Sequence, residues 1–113
     1  MKEVKRPWGN FKQFVLNKKS TVKIISIKPN EELSLQKHKH RREIWYFLTS
    51  GKVQIGNKKF KVKKNEIINI PKNTPHRIFA DKNDVEFLEI SFGKFDEKDE
   101  IRLEDKYGRK SPK

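Results

Sequence analysis

The chain is expected to be all-β, an antiparallel sandwich or small barrel. Short apolar or alternating runs recur at close, regular spacing along its 113 residues, separated by Gly, Pro and Asn turns. Although only 33% of residues are hydrophobic, they include eight Phe and two Trp gathered into those runs, which argues against disorder.

The elements follow in order. Residues 11–16 read as a strand, closed by the turn Asn17-Lys18-Lys19-Ser20. Residues 21–28 alternate polar and apolar side chains and stop at Pro29-Asn30. Residues 33–40 form the next strand, and residues 44–48 an apolar, aromatic one. Ser50-Gly51 marks a turn, residues 52–55 a short strand, and Gly56-Asn57-Lys58-Lys59 a hairpin loop. Strands over 60–62, 66–70, 76–80 and 85–92 complete the series. Asn65 and Asn73 look like turn positions at positive φ, which Asn tolerates best among non-glycine residues. The charged tail from Asp96 to Arg109 is expected to be partly helical, and Ser111-Pro112-Lys113 to fray. One domain is expected over 1–113, with its core at about 6–95 and the tail at 96–113.

Composition excludes several functions. No cysteine is present, so disulfides, thiolate ligands and a Cys nucleophile are ruled out. No apolar run reaches membrane-spanning length and the N-terminus lacks a signal-peptide core, so a cytoplasmic protein is expected. The net charge of +13 invites a nucleic-acid reading. However, its lysines are dispersed over turns and alternate strand positions, as on solvated faces and protected edges, and no basic helix or base-stacking motif accompanies them. Nucleic acid is therefore not the expected partner.

All three histidines fall in two stretches, Gln36-Lys37-His38-Lys39-His40-Arg41-Arg42-Glu43 and Pro71-Lys72-Asn73-Thr74-Pro75-His76. In an extended strand, Gln36, His38 and His40 share one face, while Lys37, Lys39 and Arg41 share the other. Imidazole, carboxylate and amide donors suit one divalent ion, Zn, Mn, Fe, Co or Ni. Glu43, just before the aromatic strand, reads as a ligand rather than a surface carboxylate. By composition alone, Arg41 and Arg42 read as solvated.

Gln36-x-His38 with Glu43 after four residues, then Pro71-x-Asn73-x-x-His76, resembles the two cupin motifs, with Gln for the first His and Asn for Gly. Ala80 stands where that superfamily often has Asn. Arg6-Pro7-Trp8-Gly9, Leu33-Ser34-Leu35-Gln36, His40-Arg41 with Glu43 and Trp45, Ile70-Pro71 with His76-Arg77, and the tail from Ile101 to Arg109 are similar to the type II phosphomannose isomerase cupin. The resemblance implies a jelly-roll double-stranded β-helix, commonly dimeric, with Gln36, His38, Glu43 and His76 around the metal. It further implies a stand-alone, metal-dependent isomerase of mannose 6-phosphate and fructose 6-phosphate, a guanylyltransferase half and its Gly-rich loop being absent from the chain. Arg41 would hold anionic charge, Lys52 matches a family lysine, and His40 is a candidate base or substrate contact. Lys37, Lys39 and Ile44 depart from the family's Met and two His. Those departures keep two alternatives open, a non-catalytic metal- and sugar-binding cupin or a nucleotide-sugar isomerase or epimerase. Trp8 and Trp45 are expected to pack; Tyr107 and Arg109 either close over the site or dock the terminus.

Overall fold

A computed structural model describes residues 1–93 and 96–109. Eleven strands are present among them: β1 (Lys2–Arg6), β2 (Gly9–Gln13), β3 (Ser20–Ile27), β4 (Leu35–His38), β5 (Arg41–Phe47), β6 (Gly51–Ile55), β7 (Lys58–Val62), β8 (Ile67–Ile70), β9 (His76–Phe79), β10 (Val85–Gly93) and β11 (Glu100–Glu104). Two antiparallel sheets, ordered β3-β10-β5-β8 and β11-β4-β9-β6-β7, enclose the interior. β1 and β2 pair only with each other, as a separate hairpin. The architecture is the expected all-β, double-stranded β-helix.

Period-two alternation decides what faces inward. Along β5, Arg41, Glu43, Trp45 and Phe47 are buried on one face. Trp45 and Phe47 join Val53, Val62, Ile70, Ile78, Val85 and Phe87 from both sheets in the main core. The same alternation sends Ile44 outward, into a second cluster with Ile90 and Phe92 under Phe14 and Val15. One half of the interior is therefore apolar and the other polar.

The turns form where asparagine predicts them. Asn65 and Asn73 have φ of 75° and 59°, and Asn17 and Asn30 also lie at positive φ. The tail differs from expectation. A single short 3-10 turn over Glu97–Asp99 is its helical part, and β11 then adds an edge strand to the five-stranded sheet. Its alternating Glu-Ile-Arg-Leu-Glu sequence explains this, because a charged strand at a sheet edge keeps one face in water. Trp8, expected to pack, is 74% exposed in the turn of the β1–β2 hairpin. Ser111-Pro112-Lys113 lies outside the described residues.

Candidate metal centre

The polar half of the interior is built by three strands and one turn. β4 contributes Gln36 and His38, and β5 contributes Arg41 and Glu43. The Pro71–Pro75 turn delivers His76 to the start of β9, in register with Gln36. Within that turn, Asn73 donates its backbone N–H to the His38 carbonyl at 2.7 Å, coupling the two motifs. His38, Glu43 and His76 are all buried, and one donor atom from each lies within 4.8 Å of the others. Gln36 lines the same cavity of about 130 Å³, together with Lys23, Arg41, Trp45, Glu89 and Glu100.

Both histidines are oriented through their second nitrogen. His38 Nδ1 lies 3.2 Å from the Asp99 carbonyl, and His76 Nδ1 lies 2.8 Å from the Thr74 carbonyl. A carbonyl only accepts, so in each bond Nδ1 carries the proton and the neutral ring keeps its Nε2 lone pair. Those Nε2 atoms lie 3.5 Å and 3.7 Å from the two Glu43 oxygens. Arg41 completes the cluster: its Nε donates to Glu43 Oε2 at 3.2 Å, and its Nη2 lies 3.1 Å from His38 Nε2. Trp45 Nε1 donates to the other Glu43 oxygen at 3.1 Å.

Burial, then the charge of Arg41, lowers the His38 pKa to about 4, with a further contribution from His76. Burial also takes His76 to about 4, against the opposing Thr74 hydrogen bond. Both rings are therefore neutral near pH 7, the state a metal ligand requires. Burial raises Glu43, outweighing the opposing effects of Arg41 and Trp45. Glu89 rises to about 7, from burial and then from the Glu43 charge. Two imidazole nitrogens and a carboxylate already gathered round a guanidinium form a cation-seeking set that fits a divalent ion of the imidazole-binding class.

Other expected site residues lie elsewhere. His40 is exposed, because β4 ends at His38 and the chain bends through Lys39 and His40, breaking the alternation. Its N–H donates to the Asp99 carboxylate, and its side chain borders a separate groove with Lys39 and Lys98. The same bend turns Arg41 inward, reversing the expected solvated face. Lys52 projects from the outer face of β6, with Nζ 5.9 Å from the centre of the Phe79 ring. Lys37, Lys39 and Ile44 do not line the cavity, so the family departures leave its wall intact. Tyr107 hydrogen-bonds Glu31, which docks the tail beside the barrel, whereas Arg109 pairs with Asp105 within the tail itself. Glu89 and Lys23 reach the cavity without having been singled out in the sequence; the available signal was Glu89 lying two residues from Phe87, on the same strand face.

Residues 1–105 match the family described as mannose-6-phosphate isomerase C-terminal. The chain belongs to that family. It is 39% identical over 111 residues to the alginate biosynthesis protein AlgA of Pseudomonas aeruginosa, covering 95% of this chain and 23% of AlgA. It is 35% identical to the mannose-1-phosphate guanylyltransferase ManC of Salmonella typhimurium, over 96% of this chain and 23% of ManC. The xanthan biosynthesis protein XanB of Xanthomonas campestris is also 35% identical, over 96% and 24%. Among solved structures, oxalate decarboxylase from Bacillus subtilis superposes with a TM-score of 0.67 and 26% identity, over 76% of this chain and 24% of that one. A cupin protein from Bacteroides fragilis superposes at 0.60 with 18% identity, over 74% and 83%, which supports the fold.

These relatives correct the expected function. The chain spans 23% to 24% of the length of each curated relative, and the match is to a C-terminal, isomerase-like region of longer proteins. A stand-alone isomerase is therefore not what the similarity supports. Among the described residues, no helix is long and apolar enough to cross a membrane.

Proposed function

We propose that this chain is a module that holds one divalent transition-metal ion between Gln36, His38, Glu43 and His76 and binds a small sugar phosphate beside it. Turnover by the chain alone is not part of the proposal. The observation that carries it is the pair of buried histidines, each fixed through Nδ1 with Nε2 facing Glu43. When bound, the metal supplies a Lewis acid for a sugar oxygen. Arg41, buried beside the donors, holds anionic oxygens through its guanidinium. Trp45 fixes the Glu43 carboxylate and closes the inner side of the cavity with an apolar ring.

The test is to load the purified chain separately with Zn, Mn, Co, Ni or Fe(II) and titrate mannose 6-phosphate by calorimetry. Binding is expected only in a metal-loaded form and is lost in His76→Ala. A fully loaded protein indifferent to the sugar phosphate would overturn the reading.

A homodimer forms part of the same reading, placed at the open edge of β3, where Val22 and Ile24 are exposed. An apolar edge strand is a ready pairing surface. Sedimentation equilibrium should give a dimer that Ile24→Lys dissociates; a monomeric wild type removes this part.

A further inference from the structure

The cavity has a second wall that the metal donors do not explain. Lys23 on β3 and Glu89 on β10 are directly opposed in register, and Glu89 is opposed on its other side by Trp45. Both side chains line the cavity that holds His38, Glu43 and His76. Towards one end their strand faces are apolar: Ile25 and Ile27 follow Lys23 inward on β3, and Phe87 and Val85 precede Glu89 on β10. Charged groups on the inner face of a barrel cost stability, so they mark a place where a polar ligand is met.

We infer that Lys23 and Glu89 form the sugar-phosphate-contacting wall of this cavity and set its selectivity. The inference rests on the reading proposed above. Lys23 supplies a compact ammonium for phosphate oxygens, and Glu89 accepts hydrogen bonds from sugar hydroxyls. Ser91, on the same face, already directs its hydroxyl at Glu89 Oε1 from 3.4 Å, which holds that carboxylate towards the cavity. Gln36 and the two histidines belong to the opposite sheet, whereas Glu43 on β5 shares the sheet of this pair, so a ligand between the walls meets the imidazoles on one side and Lys23 and Glu89 on the other. The cavity between the walls, about 130 Å³, suits a group of monosaccharide size better than a nucleotide sugar.

The experiment titrates mannose 6-phosphate, mannose and inorganic phosphate into Mn(II)-loaded wild type, Lys23→Met, Glu89→Gln and the control Lys82→Met. Metal affinity and thermal midpoint are measured in parallel for each. Lys23→Met is expected to weaken mannose 6-phosphate and phosphate by about tenfold or more while sparing mannose. Glu89→Gln should weaken both sugars by a similar factor and spare phosphate. Manganese affinity should stay near the wild-type value in every variant, and Lys82→Met should match wild type throughout. Undiminished mannose 6-phosphate binding in either cavity variant overturns the inference and leaves the functional reading standing. Loss of metal from a folded variant also overturns it, by placing that residue in the metal centre. A metal-filled wild type that binds no mannose 6-phosphate removes the functional reading and the inference together.

Discussion

His38 places its Nδ1 3.2 Å from the carbonyl of Asp99, 61 residues later in the chain, so the C-terminal segment sets which nitrogen of that ring faces Glu43. The Asp99 side chain fastens the contact by accepting from the N–H groups of Lys39 and His40 at 3.0 and 2.9 Å. Asp99→Ala releases both bonds while leaving the carbonyl in place. Metal affinity is expected to fall by about tenfold with the barrel still folded. Competition against a chromophoric chelator measures it, and an unchanged affinity would show that the tail is dispensable to His38.

The turn that delivers His76 should tolerate glycine and resist branching. Asn73 sits at φ 59°. Asn73→Gly is expected to be near neutral, whereas Asn73→Val should cost about 1–2 kcal/mol, because a β-branched residue is poorly accommodated there. Urea unfolding of the two variants decides it. Equal midpoints would mean that the turn relaxes without strain.

The apolar half of the interior carries stability. Phe87 is fully buried, with its ring centre 5.6 Å from Phe47 and 5.7 Å from Trp45. Phe87→Ala should cost about 3–5 kcal/mol. A loss below about 1 kcal/mol in urea unfolding would indicate that the two sheets can close over the gap.

Acid response in the metal-free chain combines opposite signs. His38 and His76 are depressed from 6.5 to about 4, so the unfolded chain protonates first and stability falls as pH drops through that window. Glu89 is raised from 4.5 to about 7, so the folded chain protonates first and stability rises as pH drops from 7 to 4.5. Glu89, together with the raised Glu43, therefore offsets part of the loss from the two histidines, and the wild type should lose stability on acidification less steeply than the histidines alone dictate. Glu89→Gln removes one compensating group and should lose stability more steeply on acidification. Urea midpoints at several pH values test this, and parallel profiles would contradict the assignment.

Much of this architecture was legible because local rules and burial agree. Asn65 and Asn73 announced their turns through the conformation that asparagine tolerates, and both lie at positive φ. Gln36, His38, Glu43 and His76 were grouped through the resemblance to the cupin motifs, where strand alternation alone would have added His40, and the structure brings those four to one cavity. His40 and Arg41 exchanged faces because a two-residue bend after His38 ends the alternation, and spacing cannot reveal where a strand stops. Glu89 was hidden by β10 and Lys23 by β3, because each strand carries apolar residues on both faces and so gives no inside–outside contrast. Asp99 acts on His38 through a carbonyl, for which no side-chain pattern exists.

The central claim is that the buried His38, Glu43 and His76 constitute a metal site, and equilibrium dialysis tests it most directly. The chain would be dialysed against each of Zn, Mn, Co, Ni and Fe(II) beside His38→Ala and His76→Ala, with bound metal counted per chain. One tightly held ion in the wild type, lost in both variants, is the predicted result. A wild type that retains none of these metals, or variants that retain as much, would contradict it.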